Sequence, residues 1–239
     1  MNHKDLKWAC AEAALPLISD GMTVGLGGGT TIHHLIELLS ESSIYQHLYI
    51  VTPSFSTRTF CLEKGLTVLN LQDVSHLDRA FDGCDQVDSH FQALKSGGAI
   101  HTKEKLVAAM ADDYILLVDQ TKFVPDLTFT VPVTLEVLPD ALNYVTRSVE
   151  RLGARVAPRL SAAKDGPTIS DYGNYILDAQ FTSPHNAVLL DRQLQQIRGI
   201  IDTSLFVDYA TKILVTNADG SKLLEKSVTK RDVTADDRI

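Results

Sequence analysis

The feature that most constrains the fold is a strand that runs straight into three glycines and then into a helix. Residues 22–26 form a short apolar run. Gly27-Gly28-Gly29-Thr30-Thr31 follows, and IHHLIELLSE then carries apolar residues at helical spacing. The alternation recurs. A strand is expected at 48–52, a helix at 57–64 closed by Gly65, strands at 66–70 and 77–81, a helix at 103–111 and a strand at 114–119. Ahead of all this, residues 4–19 read as a helix capped by Asp20-Gly21. Strands alternating with helices predict an α/β fold with a mostly parallel sheet, whose ligands bind at the carboxyl ends of the strands. The glycine loop, Asp82 and Asp119 fall at that edge.

Beyond Pro125 the pattern changes. FTVPVTLEVLP is strand-like, 140–152 is helical, 154–158 is a strand, and a turn at 171–174 leads to a strand at 175–179. A helix is expected at 184–195, and a last strand at 212–216 that returns to the first sheet. The division that follows is a Rossmann-like catalytic domain over 1–130, completed by 205–239, and a smaller α+β domain over 131–204. The charged tail after Lys222 is expected to be loose, or packed only at its start.

The net charge of −8 argues against a nucleic-acid binder. It leaves room for an anionic small molecule, which needs only a few local lysines and backbone N–H groups. Three widely spaced cysteines give neither a disulfide framework nor a zinc pattern, and a reducing cytoplasm is the natural compartment. The first 21 residues read as neither signal peptide nor membrane span.

Several residues are candidates for chemistry. Glycines after a strand let backbone N–H groups converge on an anion at a helix start, with Thr30 and Thr31 as hydroxyl donors; a tight turn without ligand is the plainer alternative. No lysine completes a Walker loop, and Thr30 stands where a dinucleotide fingerprint counted from Gly25 wants glycine or alanine. Asp82 and Asp85 flank Gly83-Cys84, either as a solvated turn or as paired carboxylates. Lys95-Ser96-Gly97-Gly98 offers a cation for an oxyanion beside a close-approaching backbone. Glu104 is either a helix-dipole partner or a general base, and Thr102 is expected to cap its helix. His33, His34 and His101 show no metal spacing, and His101 is expected at the surface. Cys84 has no evident activating partner.

Taken together, GLGGGTT, FDGCDQVD, KSGGAIHTKEK, Asp119-Gln120-Thr121-Lys122 and SDYGNYILD resemble, in order and spacing, the type A ribose-5-phosphate isomerase family. The resemblance implies a Rossmann-like domain with a small ferredoxin-like one. It implies aldose–ketose isomerisation of ribose 5-phosphate and ribulose 5-phosphate through an enediolate, in the non-oxidative pentose phosphate pathway. It further implies a cytoplasmic homodimer or homotetramer with no cofactor, no metal, and neither nucleic acid nor membrane as partner. By the same resemblance Glu104 is the base, Asp82 and Asp85 assist ring opening and hydroxyl protons, and Lys95 stabilises negative charge. Gly28, Gly29, Thr30 and Thr31 hold the phosphate. Gly83, Cys84, Ser96, Gly97, Gly98 and Lys122 are further ligand positions, and Lys7 falls near the phosphate.

The chain departs from the family pattern in places. Gly27-Gly28-Gly29-Thr30-Thr31 stands for Gly-Thr-Gly-Ser-Thr, Gln86 stands for a glutamate, and Ser96 takes the first place of a triple glycine. A divergent member is the reading these departures support. The alternatives they open are an isomerase of another sugar phosphate and a non-catalytic sugar-phosphate binder.

Overall fold

The computed structural model describes residues 3–42, 47–163, 165–181 and 185–226. In chain order it begins with α1 (His3–Ala14), β1 (Thr23–Leu26), α2 (Thr30–Glu41), β2 (Tyr49–Val51), α3 (Phe55–Glu63), β3 (Thr67–Val68) and β4 (Leu77–Asp82). Next come β5 (Gln86–Asp88), β6 (Ala93–Leu94), α4 (His101–Met110), β7 (Ala111–Asp119) and β8 (Phe123–Val124). A second region holds β9 (Val133–Val137), α5 (Leu142–Glu150), β10 (Ala154–Pro158), β11 (Tyr175–Phe181), α6 (Ala187–Gln195) and β12 (Ile200–Thr203). The chain then returns through β13 (Leu205–Phe206), β14 (Lys212–Asn217) and β15 (Gly220–Glu225).

The main sheet has the order β15-β14-β7-β4-β1-β2-β3, parallel except for the edge hairpin of β14 and β15. It is buried on both faces, so its strands read as unbroken apolar runs rather than alternating ones. In β7 the alternation goes to two different cores. Ile115 and Leu117 join α1 and α2 on one face, while Tyr114, Leu116 and Val118 join Val107 and Ala108 of α4 on the other. From β1 the chain moves outward through β2 and β3, then jumps back to β4 and moves the opposite way. The strand order therefore reverses between β1 and β4, and a crevice opens there beyond their carboxyl ends.

The second region follows β-α-β-β-α-β order, with sheet order β10-β11-β9-β12 and all pairs antiparallel. This is the ferredoxin-like arrangement. Its own core gathers Leu135, Val145, Leu177 and Leu190 among others. A third sheet, β13-β6-β5-β8, joins the two regions with strands of two or three residues. Runs that short carry no periodicity, which is why the sequence gives no sign of them.

The charged tail is packed at its start, one of the two outcomes expected for it, and three other expectations need correction. Residues 220–225 form a strand, because Leu223 and Leu224 alternate into the two cores and β15 pairs with β14 from Gly220 to Glu225. The part of the expected loose tail beyond residue 226 lies outside the described residues. His101 is fully buried, not at the surface, and burial pushes its pKa down to about 4. Thr102 does not cap α4: the helix starts at His101, and the Thr102 hydroxyl donates to Glu136 instead. The predicted helix at 184–195 begins at Ala187, with the Asn186 side chain as its cap; Pro184 lies outside the described residues. Among the described residues no helix is long and apolar enough to cross a membrane.

Candidate active site

The crevice at the switch point is a cavity of about 620 Å³. The carboxyl ends of β1, β2 and β4, with the turns and the start of α3 that follow them, supply Gly28, Gly29, Ser54, Phe55, Ser56, Asp82, Gly83, Cys84 and Asp85. The segment from β6 into α4 supplies Lys95, Gly97, Gly98, Ile100 and Glu104, and Lys122 closes the set after β7.

At its base sits a buried cluster of charges. Lys95 Nζ lies 2.9 Å from Asp82 Oδ2 and 3.4 Å from Glu104 Oε1, and it donates to the Gly83 carbonyl. All three charged side chains are at least nine-tenths buried. The short third sheet fixes Lys95, whose own N–H donates to Ser204 O at 3.0 Å just past β6. On its apolar side the Phe206 ring centroid lies 5.6 Å from the ammonium. Asp82 is held through both oxygens. Oδ1 accepts from Gly83 N (2.8 Å) and Gly28 N (3.3 Å), and Oδ2 accepts from the Tyr114 hydroxyl (3.2 Å) as well as from Lys95. Asp85 Oδ2 accepts from Ser96 N (2.6 Å) and Gly97 N (3.3 Å), which shapes the second glycine loop.

The electrostatics follow from burial. Desolvation disfavours the Glu104 carboxylate, Lys95 restrains that effect, and the nearby Asp82 adds to it, so the Glu104 pKa rises to about 8. Desolvation opposes the Lys95 ammonium, but Asp82 and Glu104 outweigh it, and Lys95 stays charged well past neutrality. Burial keeps the Tyr114 phenol protonated, so it remains a donor to Asp82. Burial also pushes the Cys84 thiol up to about 12, which leaves it protonated and inert at neutral pH. Among the described residues no three His, Cys, Asp or Glu side chains converge as a metal site requires.

On the opposite rim, Gly29 precedes α2 with φ of +96°, a conformation that favours glycine, and the first turn of that helix has no side-chain cap among the described residues. Gly27 is fixed by a close approach. A Cβ there would lie 1.9 Å from Asp82 Oδ1. Gly27→Ala is therefore expected to expel the Asp82 carboxylate, lowering kcat/KM and costing about 1–3 kcal/mol of stability by overpacking. Assay of the purified variant beside a melting curve checks this, and an unchanged kcat/KM would refute it.

Of the residues expected from sequence, Gly28, Gly29, Asp82, Gly83, Cys84, Asp85, Lys95, Gly97, Gly98, Glu104 and Lys122 line the cavity. Thr30 and Thr31 start α2 behind its rim. Ser96 is buried beneath it, with its hydroxyl on Pro132 O. Lys7 is half-buried on α1 and does not line it. Gln86 faces away, bonding Thr128 and Thr130, so this departure from the family pattern leaves the cavity wall untouched. The sequence reading missed Ser54, Phe55, Ser56, Ile100 and Tyr114. The first three follow the carboxyl end of β2 and answer to the same strand-end rule that singled out the glycine loop. Tyr114 sits in an apolar run and carries no such signal.

Residues 49–220 match the family model described as ribose 5-phosphate isomerase A (phosphoriboisomerase A). The chain belongs to the ribose 5-phosphate isomerase A family. Its relative in Thermococcus kodakarensis, named ribose-5-phosphate isomerase A, is 38% identical over 230 residues, covering 95% of this chain and 100% of that one. The Pyrococcus furiosus relative of the same name is 35% identical, with the same coverage. Among solved structures, ribose 5-phosphate isomerase A from Methanocaldococcus jannaschii superposes with a TM-score of 0.87 at 32% identity, over 94% of this chain and 100% of that one. A D-ribose-5-phosphate isomerase in complex with phospho-erythronic acid superposes with a TM-score of 0.89 at 32% identity, over 95% of this chain and 100% of that one.

Proposed function

We propose that this chain interconverts ribose 5-phosphate and ribulose 5-phosphate with Glu104 as the base that carries a proton between C2 and C1. The observation that supports this role is a carboxylate buried on the cavity wall, its pKa raised, 3.4 Å from a lysine ammonium that stays charged. In the aldose-to-ketose direction Glu104 takes the C2 proton. The C–H electron pair forms the C1–C2 double bond, and the carbonyl pair moves onto O1. Lys95 stabilises that oxyanion with an ammonium buried at the base of the cavity. Glu104 then returns its proton to C1, while O1 gains a proton and O2 loses one. Asp85 Oδ1 has no partner among the described residues, which suits it to the ring-opening and hydroxyl protons. Asp82, engaged on both oxygens, supports it and holds Lys95 in place. The start of α2 at Gly28–Thr31 receives the phosphate, with Lys122 and Lys7 supplying positive charge nearby.

In the same reading the chain divides into a catalytic domain over 1–130 with 205–239 and a small domain over 131–204. It works in the cytoplasm as a homodimer or homotetramer. The three cysteines, buried and free, accord with a reducing compartment. Exposed apolar side chains of the small domain, such as Tyr144 and Leu160, are the kind of surface that a contact between copies covers.

The test is formation of ribulose 5-phosphate from ribose 5-phosphate by the purified protein in EDTA. Robust turnover inhibited by phospho-erythronic acid is the expected result. No turnover, with ribose 5-phosphate still raising the melting temperature, would instead mark a binding protein.

A further inference from the structure

The SDYGN turn contributes nothing to the cavity wall, yet it contacts the helix that carries Glu104. Glu136 on β9 is 2% exposed and makes three hydrogen bonds. Its Oε1 accepts from Ser170 Oγ at 2.6 Å and from Asn174 Nδ2 at 2.7 Å, both from that turn. Its Oε2 accepts from Thr102 Oγ1 in the first turn of α4. Outside this network Asp171 pairs with Lys103 at 2.5 Å, and the Tyr172 ring centroid lies 5.3 Å from the same ammonium.

Two residues earlier on the same face of β9, Thr134 holds the other end of the loop. Its Oγ1 lies 3.1 Å from Ser96 O, which also accepts from Arg159 Nη2 at 2.8 Å. Asp178 fixes that guanidinium through Nε at 2.9 Å. The segment between the two attachments includes Gly98 at φ +61° and Ala99 at φ +58°. A non-glycine residue holds such a backbone only where its surroundings impose it. Beyond this bend Thr102 is tied down, and Glu104 follows two residues later.

We propose that the 170–174 turn, acting through Glu136 and Thr102, is a positioning device that sets Glu104 against Lys95. This rests on the reading of Glu104 as the base. Neither Glu136 nor Thr102 lines the cavity, and neither is an ion-pair partner of Lys95 among the described residues. Their action is to fix the start of α4, and small displacements of a base are costly to the chemical step. The small domain thereby supplies the reference frame for a base borne by the large one.

The experiment compares Thr102→Val, Thr102→Ser and Glu104→Gln with wild type. Valine keeps the shape of threonine but removes the donor to Glu136. Thr102→Val is expected to lower kcat about 10- to 100-fold with KM for ribose 5-phosphate within about 3-fold. The alkaline position of its acid limb should move further upward as Glu104 loses contact with Lys95. Thr102→Ser is expected to recover the activity. Wild-type kcat and pH profile in Thr102→Val, beside an inactive Glu104→Gln, would overturn the positioning role while leaving the base assignment intact. A loss that follows the melting temperature and is not recovered by serine would overturn it as well. An active Glu104→Gln would overturn the base assignment, and the positioning role with it.

Discussion

Glu104→Gln is expected to lower kcat for ribose 5-phosphate by about 10²–10⁴-fold, with little change in KM. The amide matches the carboxylate in shape and can still accept from Lys95, so the cavity keeps its form. What it loses is the ability to take a proton from carbon. The wild-type pH profile should carry the mark of the same group. Because Glu104 is competent only when ionised and its pKa is raised to about 8, kcat/KM should climb through the neutral range and level off in mild alkali. A limb near the ordinary carboxylate value would refute the assignment.

The same shift predicts a stability gain in the variant. Between the unfolded value of 4.5 and the folded value of about 8, the native state holds a proton that the unfolded state has released. Stability therefore falls as pH rises through that window. Glutamine removes the penalty. At pH 8 Glu104→Gln should melt above wild type by about 2–8 °C, on the order of 1–2 kcal/mol. Near pH 4, where Glu104 is protonated in both states, the difference should vanish. Melting curves across this range check both the sign and the window. The base is thus held at a cost to the fold, as expected where a site needs a carboxylate that water would otherwise ionise early.

How far this site could be read in the sequence depends on how local each signal is. The glycine loop after β1 and Asp82 at the end of β4 are each one step past an apolar run, so the strand-end rule reaches them without tertiary information. Lys95 and Glu104 stood out as candidates beside the second glycine loop, but choosing their catalytic over their plainer reading took the family resemblance, because nothing local says that a lysine after a two-residue strand is buried. The third sheet that buries it pairs Ala93–Leu94 with Leu205–Phe206, more than a hundred residues apart. The Glu136 network was illegible for the same reason. A glutamate in VTLEV looks solvent-facing by its chemistry, yet all five positions of that strand are buried and its partners come from two other elements. Thr102 shows the reverse error, in which a local capping rule lost to a buried carboxylate that needed a donor.

Lys95→Met should be the most damaging substitution to the fold and site together. The ammonium sits among Asp82 Oδ2, Glu104 Oε1 and the Gly83 carbonyl, with the Phe206 ring alongside. Methionine fills the space but leaves two buried acids without their cation, and breaking a buried pair from one side costs about 3–5 kcal/mol. Catalysis should fall by about 10²–10³-fold from the lost oxyanion partner alone. Because Lys95 restrains the upward shift of Glu104, its removal pushes that pKa higher. Any residual activity should then need more alkaline solution, and the stability deficit should be smallest in acid, where Glu104 is protonated in folded and unfolded chain alike. Combining Lys95→Met with Glu104→Gln separates the two roles. If the lysine stabilises an oxyanion that exists only once the base has acted, the double variant should be scarcely slower than Glu104→Gln alone. It should also be more stable than Lys95→Met, since the glutamine leaves one buried acid fewer. Strictly additive losses in rate would mean that the two side chains act in separate steps, and the shared enediolate would have to be abandoned.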